Sequence, residues 1–229
     1  MTTGAGRGVP ARKGDVARRR TGGTATVGVV EHSNLAVLVT LAPDGAVLDR
    51  REIELTDRGL PTHPYHHEGS WSVGRYRNSP WAREISLSEA VALIARVQAS
   101  AARGARENLE TLAASVSMPI ARIAIRACPS LPPTPEERIA DNRAQTLADS
   151  VMYREAIVAA AEARGWAVYG YERERVFRDA AAVLGGVDVG KALSAMGRSI
   201  GPPWQARHKM AAAAALAVMT SLSPRRIGG

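Results

Sequence analysis

Cysteine and aromatic residues are scarce in this chain of 229 residues. The single cysteine, Cys128, excludes an intramolecular disulfide framework and a zinc module built on several cysteines. Because one thiol requires no oxidising environment, a reducing cytoplasm is the simplest compartment to expect. Aromatic side chains make up only 4% of the sequence, which disfavours domains that bind RNA or DNA on a sheet of stacked aromatic rings.

Long hydrophobic runs and several common motifs are also missing. No apolar core follows the basic N-terminus, so we expect no signal peptide. The longest apolar run, Met210–Met219, is too short to span a bilayer, and we expect no membrane partner. The sequence contains no P-loop, no convincing dinucleotide-binding fingerprint and no G-x-S-x-G motif, which disfavours the enzyme classes that depend on them.

Positive charge is in excess and lies mainly at the two ends of the chain. The sequence has 30 lysine and arginine residues against 22 aspartate and glutamate residues, a formal net charge of +8. Most of this excess belongs to residues 1–25 and 223–229, so the segment 26–222 is nearly neutral. We predict a disordered basic arm over 1–25, a folded domain over 26–222 and a flexible tail over 223–229. The arm residues expected to bind nucleic-acid phosphates are Arg12, Lys13, Arg18, Arg19 and Arg20.

Hydrophobic patterning predicts an α/β domain. Segments 26–31, 35–41 and 47–55 have the composition of strands and predict an antiparallel meander. Two further strands, 121–128 and 166–171, each follow a long helical pattern, which is typical of parallel strands joined by helices. The predicted fold class is therefore a mixed five-stranded α/β sheet flanked by helices. Helices are expected over 87–115, from a capping box at Thr134 to Arg164, and over 172–184, 189–199 and 204–221.

Residues 56–85 interrupt this pattern, and we call this segment the insert. Within it, His63, His66 and His67 lie close to Glu68 in the sequence. Imidazole and carboxylate groups bind transition metals, so these four residues are candidate metal ligands. Their spacing matches no zinc motif. The alternative interpretation is a loop held by histidine and tyrosine hydrogen bonds, or one that presents these groups to phosphate.

The order of elements resembles the ribonuclease-H-like fold and, within it, the RuvC-like branch of Holliday-junction resolvases and their relatives. The resemblance covers residues 26–221 and includes three short segments. V-G-V-V-E-H-S at 27–33 and I-A-I-R at 123–126 stand where that family has two strands that end in acidic residues. R-H-K-M-A-A-A-A-A-L-A-V at 207–218 stands where it has a final helix that carries acidic residues or a histidine.

The resemblance implies a nucleic-acid-binding protein, a metal-dependent nuclease and a homodimer. In that family, clustered carboxylates bind two divalent metal ions that hydrolyse a phosphodiester, and Mg²⁺ or Mn²⁺ is the implied cofactor. This sequence departs from the pattern at two of the three positions. Glu31 keeps the first acidic residue, but Arg126 stands at the second position, and the last helix offers His208 with no carboxylate.

The candidate catalytic residues are Glu31, His208 and Asp141. Glu31 is also a candidate metal ligand, and pairing with an arginine is its alternative role. Asp141 belongs to a polar stripe with Gln145 and Asp149 at four-residue spacing, and a solvated helix face is the default interpretation of such a stripe. Further candidate nucleic-acid contacts are Arg126, which could instead neutralise Glu31, and Arg207 and Lys209 beside His208.

Three functions remain open on the sequence. The first is a RuvC-like nucleic-acid-binding protein that acts as a structure-specific nuclease with an atypical site. The second is a non-catalytic adaptor that uses the fold as a binding platform and is tethered by its arginine-rich arm. The third is a histidine-ligated metalloenzyme acting on a small substrate.

Overall fold

The structure is a computed structural model that describes Met1 and residues 23–220. The predicted basic arm and the predicted tail therefore fall almost entirely outside the described residues. The same applies to the arm residues expected to contact nucleic acid, Arg12, Lys13, Arg18, Arg19 and Arg20.

Within residues 23–220, five strands form one mixed sheet. Strands β1 (Ala25–His32), β2 (Leu35–Leu41) and β3 (Val47–Glu54) form the predicted antiparallel meander. Strand β4 (Ile120–Arg126) pairs in parallel with β1, and β5 (Ala167–Tyr171) pairs in parallel with β4. The strand order β3-β2-β1-β4-β5, with these directions, confirms the predicted ribonuclease-H-like fold.

Helices cover both faces of the sheet. Within residues 23–220 they are α1 (Ser70–Ser72), α2 (Leu87–Ser115), α3 (Pro135–Ala140), α4 (Asn142–Ala163), α5 (Val176–Val183), α6 (Val189–Ile200) and α7 (Ala206–Val218). On one face, the long helices α2 and α4 pack on a core that includes Val27, Val29 and Ile123. On the other face, α5, α6 and α7 pack on a second core that includes Val37 and Val39. None of the helices within residues 23–220 is long and apolar enough to cross a membrane.

The close approach of α7 to β1 depends on a glycine in the strand. A Cβ atom placed on Gly28 would lie 1.8 Å from the carbonyl oxygen of Ala211 and 2.8 Å from the backbone nitrogen of Ala215. Only glycine fits where another backbone comes this near to a strand. Because side chains alternate along a strand, Gly28 and Val30 face α7, whereas Val27, Val29 and Glu31 face α2 and α4.

The predicted single helix from Thr134 to Arg164 is in fact two helices. Asp141 has an extended backbone conformation, with φ −85° and ψ 113°, and separates α3 from α4. Its carboxylate accepts hydrogen bonds from the backbone N–H groups of Arg143 and Ala144. Aspartate competes with the helical backbone in this way and therefore favours a helix start over a helix interior.

The insert is not an irregular loop throughout. It contains a π-helical turn, Tyr65–Gly69, that continues directly into α1. This turn packs on α4 and α2, which places it beside the carboxyl end of β1. The fold therefore brings the insert, α4 and the end of β1 together at one edge of the sheet.

Candidate functional site

Glu31, near the end of β1, forms a buried ion pair with Arg154 in α4. The Glu31 Oε2 atom lies 3.4 Å from Arg154 Nε, and the two side chains are 6% and 3% exposed. Arg154 also donates hydrogen bonds from Nη1 to the carbonyl of Ala127 at 2.7 Å and from Nε to the carbonyl of Ser150 at 3.1 Å. The guanidinium therefore ties α4 to the ends of both β1 and β4.

The charges around Glu31 explain why this pairing is needed. Burial raises the pKa of Glu31, and this is the largest effect on the group. The positive charge of Arg154, a hydrogen bond with Ser150 and the charge of Arg126 all lower the pKa in opposition. A buried carboxylate requires a positive partner or must take up a proton, and here Arg154 supplies the positive charge.

Two neighbouring side chains complete this end of the sheet. Arg126 ends β4, and its side chain is exposed to solvent. Burial raises the pKa of the Cys128 thiol, so Cys128 lacks the activated thiolate that a nucleophile needs. The chemistry available here is therefore that of guanidinium groups, which bind phosphates and carboxylates.

The residues at this position do not fit the two divalent metal ions that the ribonuclease-H-like fold implies. Glu31 is engaged by Arg154, and Arg126 stands at the end of β4, where the fold family has a carboxylate. Over residues 23–220 no group of three or more histidine, cysteine, aspartate or glutamate side chains is arranged to hold a metal ion. The side chains at this end of the sheet therefore lack the ligand set that metal-assisted hydrolysis requires.

His208 lies on the opposite side of the sheet from Glu31. It belongs to α7, whereas Glu31 contacts α4 on the other face. His208 Nδ1 accepts a hydrogen bond from the backbone N–H of Gln205 at 3.1 Å, and its ring stacks on Trp204 at 5.9 Å. Burial and the charge of Arg50 lower the pKa of His208, so its neutral imidazole caps the start of α7.

Asp141 is also far from Glu31. It lies 13 residues before Arg154 in the sequence, a distance of about 20 Å at 1.5 Å per helical residue. Its carboxylate is used in capping α4. The three candidate catalytic residues therefore do not meet. Glu31 lies near the end of β1, Asp141 at the start of α4, and His208 on α7 across the sheet.

The insert is attached to α4 by a buried aspartate. Asp149 accepts hydrogen bonds from the backbone N–H groups of Tyr65 at 2.9 Å and His66 at 3.0 Å. Burial raises the pKa of Asp149 to about 7, while these two hydrogen bonds act in the opposite direction. Gln145, one turn earlier, is also buried and accepts a hydrogen bond from Ser70. The polar stripe on α4 therefore faces the insert, and the default interpretation of a solvated face is wrong for Gln145 and Asp149.

The histidines of the insert lie close together without forming a metal centre. His63 is engaged at both ring nitrogens, Nε2 with Ser33 Oγ at 2.7 Å and Nδ1 with Thr62 Oγ1 at 2.8 Å. Burial lowers the pKa of His63 and of His66, so both are neutral at neutral pH. Burial also raises the pKa of Glu68. These contacts hold the insert against the turn between β1 and β2, which agrees with the alternative of a loop fixed by histidine hydrogen bonds.

Arg154 is the most important residue at this end of the sheet that sequence patterns did not reveal. It follows the polar stripe by five residues and so breaks its four-residue spacing. Glu31 precedes it by 123 positions, and nothing local links the two. The sequence shows a glutamate at a strand end in a chain rich in arginine. This pattern indicates that Glu31 forms a salt bridge, but not which arginine is its partner.

No family model matches this chain, and no curated protein matches it by sequence. Among solved structures, the chain is similar to Thermus thermophilus RuvC in complex with a Holliday junction substrate, at 16% identity and a TM-score of 0.45 over 85% of this chain and 91% of that chain. It is also similar to another structure of Thermus thermophilus RuvC, at 14% identity and a TM-score of 0.40 over 85% of this chain and 92% of that chain. The assignment of a ribonuclease-H-like fold rests on the order and directions of the five strands.

Proposed function

We propose that this protein binds nucleic acid and does not cleave it, using a ribonuclease-H-like sheet as a binding platform. The observation that carries this proposal is the buried Glu31–Arg154 ion pair. It stands where the fold family begins its metal-binding cluster. Of the interpretations left open by the sequence, the geometry favours the non-catalytic adaptor.

The energetics of the pair support a structural role for Glu31. A metal ion that took over the Glu31 carboxylate would leave the Arg154 guanidinium buried without an anionic partner. Leaving one partner of a buried pair uncompensated costs about 3–5 kcal/mol, and a divalent ion would also be repelled by Arg154 and Arg126. With no second carboxylate at this position, the metal would gain too little to offset that cost.

Basic residues of the folded domain support a nucleic-acid partner. Lys191, Arg198 and Lys209 line one open cleft between α6 and α7 with a volume of about 550 Å³. One acid, Asp188, also lines it, so the cations exceed the acids by three to one. Both lysines of the described domain thus lie in this cleft, although the domain as a whole is nearly neutral. Clustered cations of this kind bind phosphates. Arg207, exposed at the start of α7 beside Lys209, extends this basic surface, and the arginines of the N-terminal arm add to the same attraction.

The first experiment separates binding from cleavage. The full chain is incubated in Mg²⁺ or Mn²⁺ with labelled Holliday junction, duplex DNA, single-stranded DNA or RNA/DNA hybrid. Anisotropy measures binding, and the length of the products measures cleavage. We expect binding that weakens steeply with salt and no shortened product. Metal-dependent cleavage that disappears in Glu31→Gln would refute the proposal and restore the nuclease interpretation.

A second experiment locates the binding surface by matched charge removal. The double variant Lys191→Gln/Lys209→Gln is compared with Arg96→Gln/Arg106→Gln, which removes the same charge from exposed positions on α2. Each lost phosphate contact is expected to lower the slope of log affinity against log salt by about 1. Equal effects of the two double variants would show that the cleft between α6 and α7 is not part of the interface.

A further inference from the structure

Four of the ten Phe, Trp and Tyr residues of the chain lie in the insert. His67 stacks on Trp71 with ring centroids 6.0 Å apart and an interplanar angle of 12°, and it lies 6.0 Å from Trp81. Trp81 in turn lies 6.1 Å from Trp71 and 5.5 Å from Tyr76. We call these four residues, His67, Trp71, Tyr76 and Trp81, the aromatic patch. A composition of 4% aromatics thus hides a local surface on which rings are dense.

This patch is open to solvent. Tyr76 and Trp81 are 46% and 47% exposed, and the adjacent Val73 is 43% exposed. Large apolar side chains that are exposed together, and not scattered singly, mark a site of interaction. Because Tyr76 and Trp81 also contact each other, they form one exposed apolar surface and not two scattered side chains.

The patch rests on a segment that is held in place. Arg75 donates hydrogen bonds to the carbonyls of Ile139 and Ala140 and to Gln145 Oε1, at 2.6, 2.7 and 2.7 Å. Tyr76, the next residue, has φ +59°, a conformation that a bulky side chain rarely adopts. Such a conformation persists only where the surrounding structure imposes it, and it is most common at functional sites. The backbone at Tyr76 is therefore held in place before any ligand arrives.

Ring spacing decides which class of ligand fits. An aromatic cage for a methylated ammonium group needs rings that surround an empty space, but the rings here touch one another at 5.5–6.1 Å. The exposed side chains of Tyr76 and Trp81 suit a flat ligand that stacks from outside. The Arg83 guanidinium lies 5.7 Å from the centre of the Trp71 ring, and this places a positive charge beside the stacking surface. A nucleotide combines a flat base with an anionic phosphate, and so it matches both the stacking surface and the positive charge of Arg83.

We propose that the aromatic patch binds unpaired nucleobases by stacking on Tyr76 and Trp81, with Arg83 contacting the adjoining phosphate. Bases within a duplex are already stacked on each other, so only single-stranded or unpaired segments offer a free face. The inference rests on the proposed function and adds a substrate class to it. The insert would then select nucleic acid that contains unpaired nucleotides.

The test compares ring removal with ring retention. Fluorescence anisotropy measures affinity for three labelled ligands: oligo(dT), a duplex of the same length and an abasic oligomer. The proteins compared are the parent, the ring-removing Trp81→Ala and Tyr76→Ala, and the ring-retaining Trp81→Phe and Tyr76→Phe. Losing one stacked base is expected to weaken oligo(dT) binding by about 5- to 150-fold in each alanine variant. The phenylalanine variants are expected to stay near the parent, and no variant should alter binding of the abasic oligomer.

The outcomes separate the inference from the proposed function. If the parent binds duplex or junction DNA but both alanine variants bind oligo(dT) within twofold of the parent, the stacking surface is refuted while nucleic-acid binding stands. An equal loss on abasic and base-containing oligomers would also refute stacking, because it would show a general loss of structure or charge. If the parent binds no nucleic acid of any form, both proposals fail.

Discussion

The Glu31–Arg154 pair allows a quantitative prediction about stability. The perturbation is Arg154→Met, which keeps a long side chain but removes the charge and the donors to Ala127 and Ser150. Glu31 would remain buried, with its side chain only 6% exposed, and without its main counter-charge. Removing one partner of a buried pair costs about 3–5 kcal/mol, a large part of the ~5–15 kcal/mol that holds a typical domain folded.

A double-mutant cycle distinguishes loss of the pair from loss of packing. In Glu31→Gln/Arg154→Met the buried negative charge is also gone, so most of the lost stability is expected to return. Replacing a buried ion pair by uncharged groups is often nearly neutral. The coupling between the two positions should therefore be at least as large as the stability that returns, about 3 kcal/mol or more. Arg154→Lys keeps the charge but not the fork geometry, and its stability should lie between those of the parent and Arg154→Met.

The dependence on pH has a definite sign. Burial already raises the pKa of Glu31, and Arg154 opposes this, so Arg154→Met raises the pKa of the folded state further above that of the unfolded chain. The folded variant then binds a proton more tightly, and its stability increases as pH falls from neutrality toward the ordinary glutamate pKa.

Urea unfolding followed by circular dichroism at neutral and acidic pH measures the cycle and its pH dependence. The reasoning is refuted if Arg154→Met loses less than about 1 kcal/mol, or if the two single changes simply add. It is also refuted if the loss is the same at both pH values.

Three further changes test other parts of the structure. The pKa of Asp149 is raised from 3.8 to about 7, so this group should make the protein less stable as pH rises between those values, by roughly 4 kcal/mol. Asp149→Asn should reduce this dependence of stability on pH, measured by urea unfolding at several pH values. An unchanged pH dependence would contradict the raised pKa. Gly28→Ala should lower stability by about 1–3 kcal/mol, seen as a lower Tm, because the new Cβ meets the Ala211 backbone; a variant with an unaltered Tm would show that α7 shifts freely. Asp141→Ala should lower the free energy of unfolding by about 1 kcal/mol, because α4 loses its helix cap, and should leave nucleic-acid affinity unchanged. A loss of binding or activity without a matching loss of stability would show that Asp141 belongs to the functional site.

Much of the secondary structure could be predicted because its causes are local. The capping box at Thr134 forms as predicted, and Ser86 forms another at the start of α2. In both, the donors and acceptors lie within four residues of each other. Gly165, with φ +74°, follows the end of α4 as expected for a glycine after a helix. The break at Asp141 was missed because helical periodicity continues across it, and only the competition between its carboxylate and the backbone interrupts the helix.

The candidate site could be predicted only in part. Glu31 does stand near a strand end, but its partner Arg154 comes from a helix more than a hundred residues later. The separation of His208 from Glu31 depends on which face of the sheet receives α7, and the local sequence does not specify that. The gathering of His67, Trp71 and Trp81 likewise depends on how the insert folds back on itself.

What the sequence determined by itself is the order of the strands and helices and the alternation of side chains along each strand, because both follow from local hydrophobic periodicity and capping. What only the tertiary structure decided is which distant side chains meet. A buried carboxylate accepts whichever cation the packing brings to it, and here the packing of α4 brings Arg154. Long-range electrostatic pairing leaves no periodic trace in a sequence, so nothing near Glu31 in the sequence indicates that Arg154 is its partner.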